Sequence, residues 1–252
     1  MKLLIAYDAS ARTRRTVDNL LRAGLPQEAE VLLLSIAQTD QPVAVTGDLI
    51  RSSFPKWRFS FEAISGPPTD AILKTIGWWR PDLLIIGSDE FSNDAVSYGS
   101  RVWLEVLHQA KCSVRINKPR ANGNTKPIRL LIGIDGSENA AAITKAVAGR
   151  CWPRGTEAQV VSVAENGAEK ERERLRAANE SAVKSLYQAG LVATGSITEG
   201  DPHRELLVAA DQFNADTIFI GARGTERMRR FLVGSVATAV VTRSRCIAEL
   251  VR

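Results

Sequence analysis

A chain that repeats itself at a fixed offset has to fold as two like units, and this 252-residue sequence does so. Asp8 follows Leu-Leu-Ile-Ala-Tyr and Asp135 follows Leu-Leu-Ile-Gly-Ile, an offset of 127 that Pro26 and Pro153 share, as do Ser35 and Ser162. Later pairs are 134 apart: Gly66 with Gly200, Gly87 with Gly221, and Cys112 with Cys246. The second copy therefore carries seven more residues between its second and third strands. Each copy has the length of an ordinary domain. The expected boundaries are 1–120 and 126–252, joined by the polar stretch NKPRANGNTKP at 117–127.

Within each copy, short Leu/Ile/Val-rich runs bounded by turn residues alternate with longer stretches of helical character, which is the pattern of βαβ units and a parallel sheet. Strands are expected at 2–7, 30–37, 58–64, 82–87 and 113–117, then at 128–134, 157–163, 191–198, 216–221 and 246–251. Helices are expected at 11–24, 68–79, 99–110, 137–149, 168–189, 202–213 and 234–244. In the long helix, Leu175, Ala178, Ala182 and Leu186 form an apolar stripe. The matching stretch 38–56 contains Pro42, Gly47 and Pro55 and reads as loop with at most one short helical turn. The fold class is α/β: two tandem Rossmann-like domains, each a five-stranded parallel sheet flanked by helices.

Composition narrows the function. The net charge of +5 is spread evenly over both copies, and Arg223, Arg227, Arg229 and Arg230 make the one dense basic cluster, so nucleic acid is a poor candidate partner. Cys112, Cys151 and Cys246 show no CxxC spacing and form an odd set, which argues against a disulfide framework or zinc site. The apolar run before Asp8 is too short for a signal peptide and no segment approaches a membrane span, so the expectation is a cytoplasmic protein with no membrane partner.

The segment Gly221–Val236 carries the chemistry. Gly221 and Gly224 follow the apolar run Thr217–Ile220, and Gly234-Ser235 come after nine intervening residues, with Val236 opening a helix. A glycine-rich turn lets backbone N–H groups approach an anion without a Cβ in the way, and the helix start adds unpaired donors and a favourable dipole. In a doubly wound sheet the ligand lies where the winding reverses. If strands one and four are neighbours there, Asp135, with Gly136 and Ser137, faces this loop and suits a base or ribose edge. The plainer alternatives are glycines that only make turns, an Asp135 that only caps its helix, and arginines that are only solvated. His108 and His203 have no partner for a triad or metal, Cys112 and Cys246 read as small buried hydrophobes, and Trp78 and Trp79 as core or interface packing.

The spaced signature G-x2-G-x9-G-S at Gly221, Gly224, Gly234 and Ser235, the strand-one Asp135, and the closing Cys246–Val251 strand together resemble a tandem universal stress protein, over both copies. The resemblance implies the nucleotide fold of the HUP class (adenine nucleotide alpha hydrolase-like), ATP as ligand with Mg2+ as a conceivable companion, and Val163 lining the adenine pocket. Arg223 joins the site as a clamp for polyphosphate. It also implies pairing of the terminal strands, an intramolecular pseudo-dimer here, with homo-oligomers and a protein partner as further possibilities.

The first copy departs from the signature. Glu90 occupies the second glycine's place, one residue is missing before Gly99-Ser100, and Asp89 and Asp94 add negative charge, although Asp8 and Ser10 are retained. Carboxylates there repel phosphate. The expectation is one ATP-binding site, in the C-terminal copy, serving a regulatory or stress-response role in which ligand orders 223–231. The alternative is a slow ATP hydrolase or nucleotide-dependent transferase, although GxxxxGK[ST], HxGH and an evident general base are all absent. No catalytic residue and no resident metal site is expected.

Overall fold

A computed structural model of the chain describes residues 1–7, 13–36, 44–88, 99–118, 127–165, 168–222 and 233–252. It divides into two compact units, Met1–Lys118 and Pro119–Arg252. The first runs β1 (Lys2–Tyr7), α1 (Thr13–Leu21), β2 (Glu30–Ser35), α2 (Ala44–Ser53), β3 (Arg58–Ala63), α3 (Pro68–Trp79), β4 (Leu83–Gly87), α4 (Gly99–Gln109) and β5 (Ser113–Asn117). Its strands pair in parallel in the order β3-β2-β1-β4-β5. The second runs β6 (Arg129–Gly133), α5 (Glu138–Ala148), β7 (Glu157–Ala164), α6 (Glu169–Gln188), β8 (Val192–Glu199), α7 (Pro202–Gln212), β9 (Thr217–Gly221), α8 (Ser235–Arg243) and β10 (Ile247–Val251). Here the order is β8-β7-β6-β9-β10, again parallel. Both sheets are doubly wound, and the α/β reading of the sequence holds.

The alternation of faces explains why the central strands are apolar throughout. In the second unit Leu130 and Ile132 pack beneath α5 and α6 with Ile143, Val147, Ala182 and Leu186. On the other face Gly133 lies under α7, where a Cβ would come within 3.0 Å of Leu206. Burial of such side chains supplies about 1.5–3 kcal/mol each. At the opposite end of the sheets an acid staples the reversal strands in both units: Lys2 N donates to Asp82 Oδ2 at 2.7 Å, and Arg129 N to Asp216 Oδ2 at 2.9 Å. The backbone returns the bond, Asp82 N to Lys2 O and Asp216 N to Arg129 O.

Three sequence expectations are corrected. The stretch 38–56 is not mainly loop, because α2 occupies Ala44–Ser53. Ile50 is completely buried, Phe54 stacks on Trp57 at 3.8 Å, and the Trp57 indole donates to Pro26 O at 2.9 Å. That packing outweighs the cost of about 1 kcal/mol for Gly47 inside a helix. In α6, Leu175, Ala182 and Leu186 are buried as expected, but the fourth buried residue is Asn179 while Ala178 is only half-buried. Trp78 is 55% exposed, which removes the core half of its expected core or interface packing, while Trp79 lies beneath the Lys2 ammonium at 5.3 Å.

Tyr7 and Ser35 end neighbouring strands in register and are both buried. Burial holds the Tyr7 phenol above its ordinary value, with Ser35 partly offsetting the rise. A folded-state value above the unfolded one means stability that is complete below a pH of about 10 and is lost as pH rises through the folded value. Tyr7→Phe should therefore lose less stability between neutral pH and the alkaline range than the wild type, read from urea midpoints in each.

Candidate functional site

The second unit reverses its winding between β6 and β9: β6 carries β7 on one side and β9 on the other. Ile132 is level with Phe219, so continuing the register by two residues sets Ile134 beside Gly221 and opens the next turn, Asp135-Gly136-Ser137, at the crevice. The two loops singled out by sequence thus emerge from adjacent strand ends.

The turn is tightly specified. Asp135 Oδ1 accepts the Ser137 N–H at 3.0 Å, so the carboxylate does shape its own turn. Gly136 has φ +68, in the left-handed region, where a Cβ would be strained and would meet Leu175 and Arg174 at 3.5 and 3.6 Å. Ser137 is the N-cap residue of α5, but its side chain does not cap the helix. Its Oγ is buried and has no hydrogen-bond partner among the described residues. Buried hydroxyls are nearly always paired, so an orphan at the mouth of a crevice calls for a partner.

On the other side, Ala222 N donates to Val251 O and Gly234 N to Ala222 O, both at 2.9 Å, which holds the two ends of the glycine loop together. Gly234 is the N-cap of α8, with φ −73 and ψ 161. That backbone suits any residue, and among the described residues a Cβ would meet only Ala222 O at 3.8 Å. Gly133 is crowded by Leu206 and Gly195 by Asn179, whereas no described residue crowds a Cβ at Gly234. The missing Cβ leaves the first turn of α8 open, with no acidic residue in it. Helix geometry leaves the N–H groups of that turn without an intrahelical acceptor. Ser235 is exposed and Val236 half-buried.

Val163 is half-buried near the end of β7 and level with Thr198, whose Oγ1 is also buried without a partner among the described residues. Asp135, Gly136, Ser137, Gly221, Gly234, Ser235 and Val236 therefore lie at the same end of the sheet, beside the adjacent strands β6 and β9, and Val163 lies one strand farther out. Arg223 and Gly224, with Arg227, Arg229 and Arg230, lie outside the described residues. So do Asp8, Ser10, Asp89, Glu90 and Asp94 of the first copy. There the loop leaves in the same manner, Ser88 N donating to Asn117 O at 2.8 Å, and Gly99 opens α4.

One residue near the crevice escaped the sequence reading. Arg174 of α6 lies over Gly136, its Cγ and Cζ each 3.6 Å from where a Cβ would sit. The signal was a cation beside Leu175 on a helix expected to pack on the sheet. His203 pairs with Asp201, which accepts Arg204 N to cap α7, and its Nε2 lies 3.2 Å from Arg243 Nη1. Among the described residues no group of three His, Cys, Asp or Glu side chains comes together for a metal, and no helix is long and apolar enough to cross a membrane.

The family model for universal stress proteins matches residues 128–252, a span that includes every strand and helix of the second unit. The chain belongs, through this C-terminal unit, to the universal stress protein family. Solved structures extend the fold to the full length. A universal stress protein from Archaeoglobus fulgidus DSM 4304 is 22% identical with a TM-score of 0.66, covering 100% of this chain and 96% of its own. A putative universal stress protein from Pseudomonas aeruginosa UCBPP-PA14 is 16% identical with a TM-score of 0.68, covering 99% and 92%. The universal stress fold is thus present twice, in tandem. A shorter universal stress protein from Archaeoglobus fulgidus, in complex with dAMP, aligns with 51% of the chain and 100% of its own length at 18% identity and a TM-score of 0.41. No curated protein matches the chain in sequence.

Proposed function

We propose that the C-terminal unit holds one adenine nucleotide, ATP, across the β6/β9 reversal, and that the protein acts as a regulator that responds to this ligand. The observation that carries the reading is Gly234. Neither its backbone nor any described neighbour requires glycine, and its missing Cβ would favour the approach of an anion to the first turn of α8. The phosphates would lie against that turn and the glycine loop from Gly221, with Arg223 and Gly224 contributing from the loop itself. The nucleoside would lie toward Asp135, Gly136 and Val163, where the orphaned Ser137 Oγ supplies a donor and an acceptor.

Mg2+ fits this site as a companion of the phosphates. It is commonly bound through one or two carboxylates plus phosphate oxygens, and Asp135 would supply one such carboxylate. It would neutralise phosphate charge there.

Mass spectrometry of the small molecule released when the purified protein is denatured tests the reading. The expected result is an adenine nucleotide at about one per chain, intact after prolonged incubation. Turnover to ADP that disappears in Asp135→Ala would favour the hydrolase alternative instead, and release of no nucleotide from protein saturated with ATP would contradict the proposal.

A further inference from the structure

The outer edge of the first unit's sheet carries an address of its own. β3 ends the order β3-β2-β1-β4-β5, and among the described residues no strand pairs with its outer side. It is also the wrong kind of strand to leave bare. Phe59 and Phe61 project on the same face with ring centroids 6.5 Å apart, and Phe61 is 42% exposed. The Arg51 guanidinium of α2 covers both rings, at 5.8 and 5.2 Å. Exposed edges are usually blunted by charge or proline, and this one keeps two aromatics between an arginine and a glutamate.

The backbone states which registers a visiting strand can use. Arg58 N donates to Ala29 O and Ile64 N to Ser35 O, so the even-numbered residues turn their amides inward to β2. The amides and carbonyls of Phe59 and Phe61 consequently face outward. An antiparallel strand bonds only when outward groups meet outward groups, each such pair exchanging two hydrogen bonds.

We propose that β3 pairs antiparallel with β3 of a second copy of this chain, about a two-fold axis through Ser60. In that register Phe59 of each copy lies opposite Phe61 of the other, which satisfies the outward groups of both residues and joins the aromatic pairs into one ladder. Arg58 lies opposite Glu62, once at each end. Slipping the strands by two residues in either direction keeps the bonding parity but loses the Arg58–Glu62 pairs. The sequence Arg-Phe-Ser-Phe-Glu is therefore complementary to itself read backwards, which is what an isologous interface requires. Arg58 already reaches Glu30 at 2.9 Å with 81% of its side chain exposed, so it is available at the rim.

Sedimentation of the full chain with and without substitutions decides this. The wild type should be a dimer at micromolar concentration that weakens as salt is raised. Glu62→Arg sets like charges opposite one another at both ends, and Phe61→Pro removes an outward N–H and a ring while leaving the inward bonds to β2. Each should raise the dissociation constant roughly tenfold or more, with circular dichroism unchanged for Glu62→Arg. A wild-type monomer at the highest soluble concentration would overturn the proposal. So would a dimer indifferent to Glu62→Arg, which would show association through another surface.

Discussion

Arg150→Ala is expected to cost the protein about 3–5 kcal/mol of stability, the range for removing one partner of a buried ion pair. Glu249 sits in the middle of β10 with its side chain 1% exposed, and Arg150, just beyond α5, grips it with both terminal nitrogens. The guanidinium also lies over Phe219 at 5.2 Å and Trp152 at 5.9 Å, and the Trp152 ring meets Phe219 edge-on. Alanine would withdraw that bidentate contact from a carboxylate that water does not reach and would empty the space between the two rings. Urea denaturation should show the loss in the midpoint. A double-mutant cycle with Glu249→Gln measures the pair directly: the two single losses together should exceed the loss in the double variant, and losses that simply add would mean that the pair is not coupled.

Gly195→Ala is the second large effect. A Cβ on Gly195 would stand 1.9 Å from Asn179 Oδ1 and 3.0 Å from Val183 Cγ2. The amide is not free to move aside: Asn179 Nδ2 donates to Ser196 O at 3.0 Å, Ser162 Oγ at 3.2 Å and Val160 O at 3.3 Å, tying α6 to β7 and β8 from a buried position. Displacing it breaks those bonds and leaves buried acceptors unmet, at about 1–3 kcal/mol per unsatisfied group. Thermal unfolding should therefore drop clearly in Gly195→Ala. In Gly195→Ala with Asn179→Ala the clash is gone, so the combined loss should be smaller than the sum of the two single losses.

These residues also mark what the sequence conveyed and what it withheld. The strands were legible to within a residue or two because runs such as Leu83–Ile86 and Thr217–Ile220 are buried on both faces, and the repeat located each twice. Strand alternation left the neighbourhood of β6 and β9 as a condition for Asp135 facing the glycine loop, and the observed pairing meets that condition. The helix α2 was hidden because its stabilisation is tertiary: Ile50 and Phe54 reach the core from a segment whose Pro42, Gly47 and Pro55 suggest a loop. Asn179 was hidden because a polar residue on an apolar stripe carries no sign of which backbone it will satisfy. Glu249 did carry a sign, an acid inside an otherwise apolar strand, but its partner Arg150 is 99 residues away. At the site, sequence named the glycines. The structure distinguishes Gly136, which its φ demands, from Gly234, which nothing in the described fold demands.

Titration of ligand-free protein with ATP, wild type beside Gly234→Val, tests the central claim most directly. No described residue blocks a Cβ at this position, so the melting temperature without ligand should shift by only a few degrees, as for a loss of about 1 kcal/mol or less at an N-cap. The wild type should bind a single ATP per chain, with an affinity at least tenfold weaker in the variant, about 1.4 kcal/mol. Equal affinity in the two proteins, or ATP bound by neither, would contradict it.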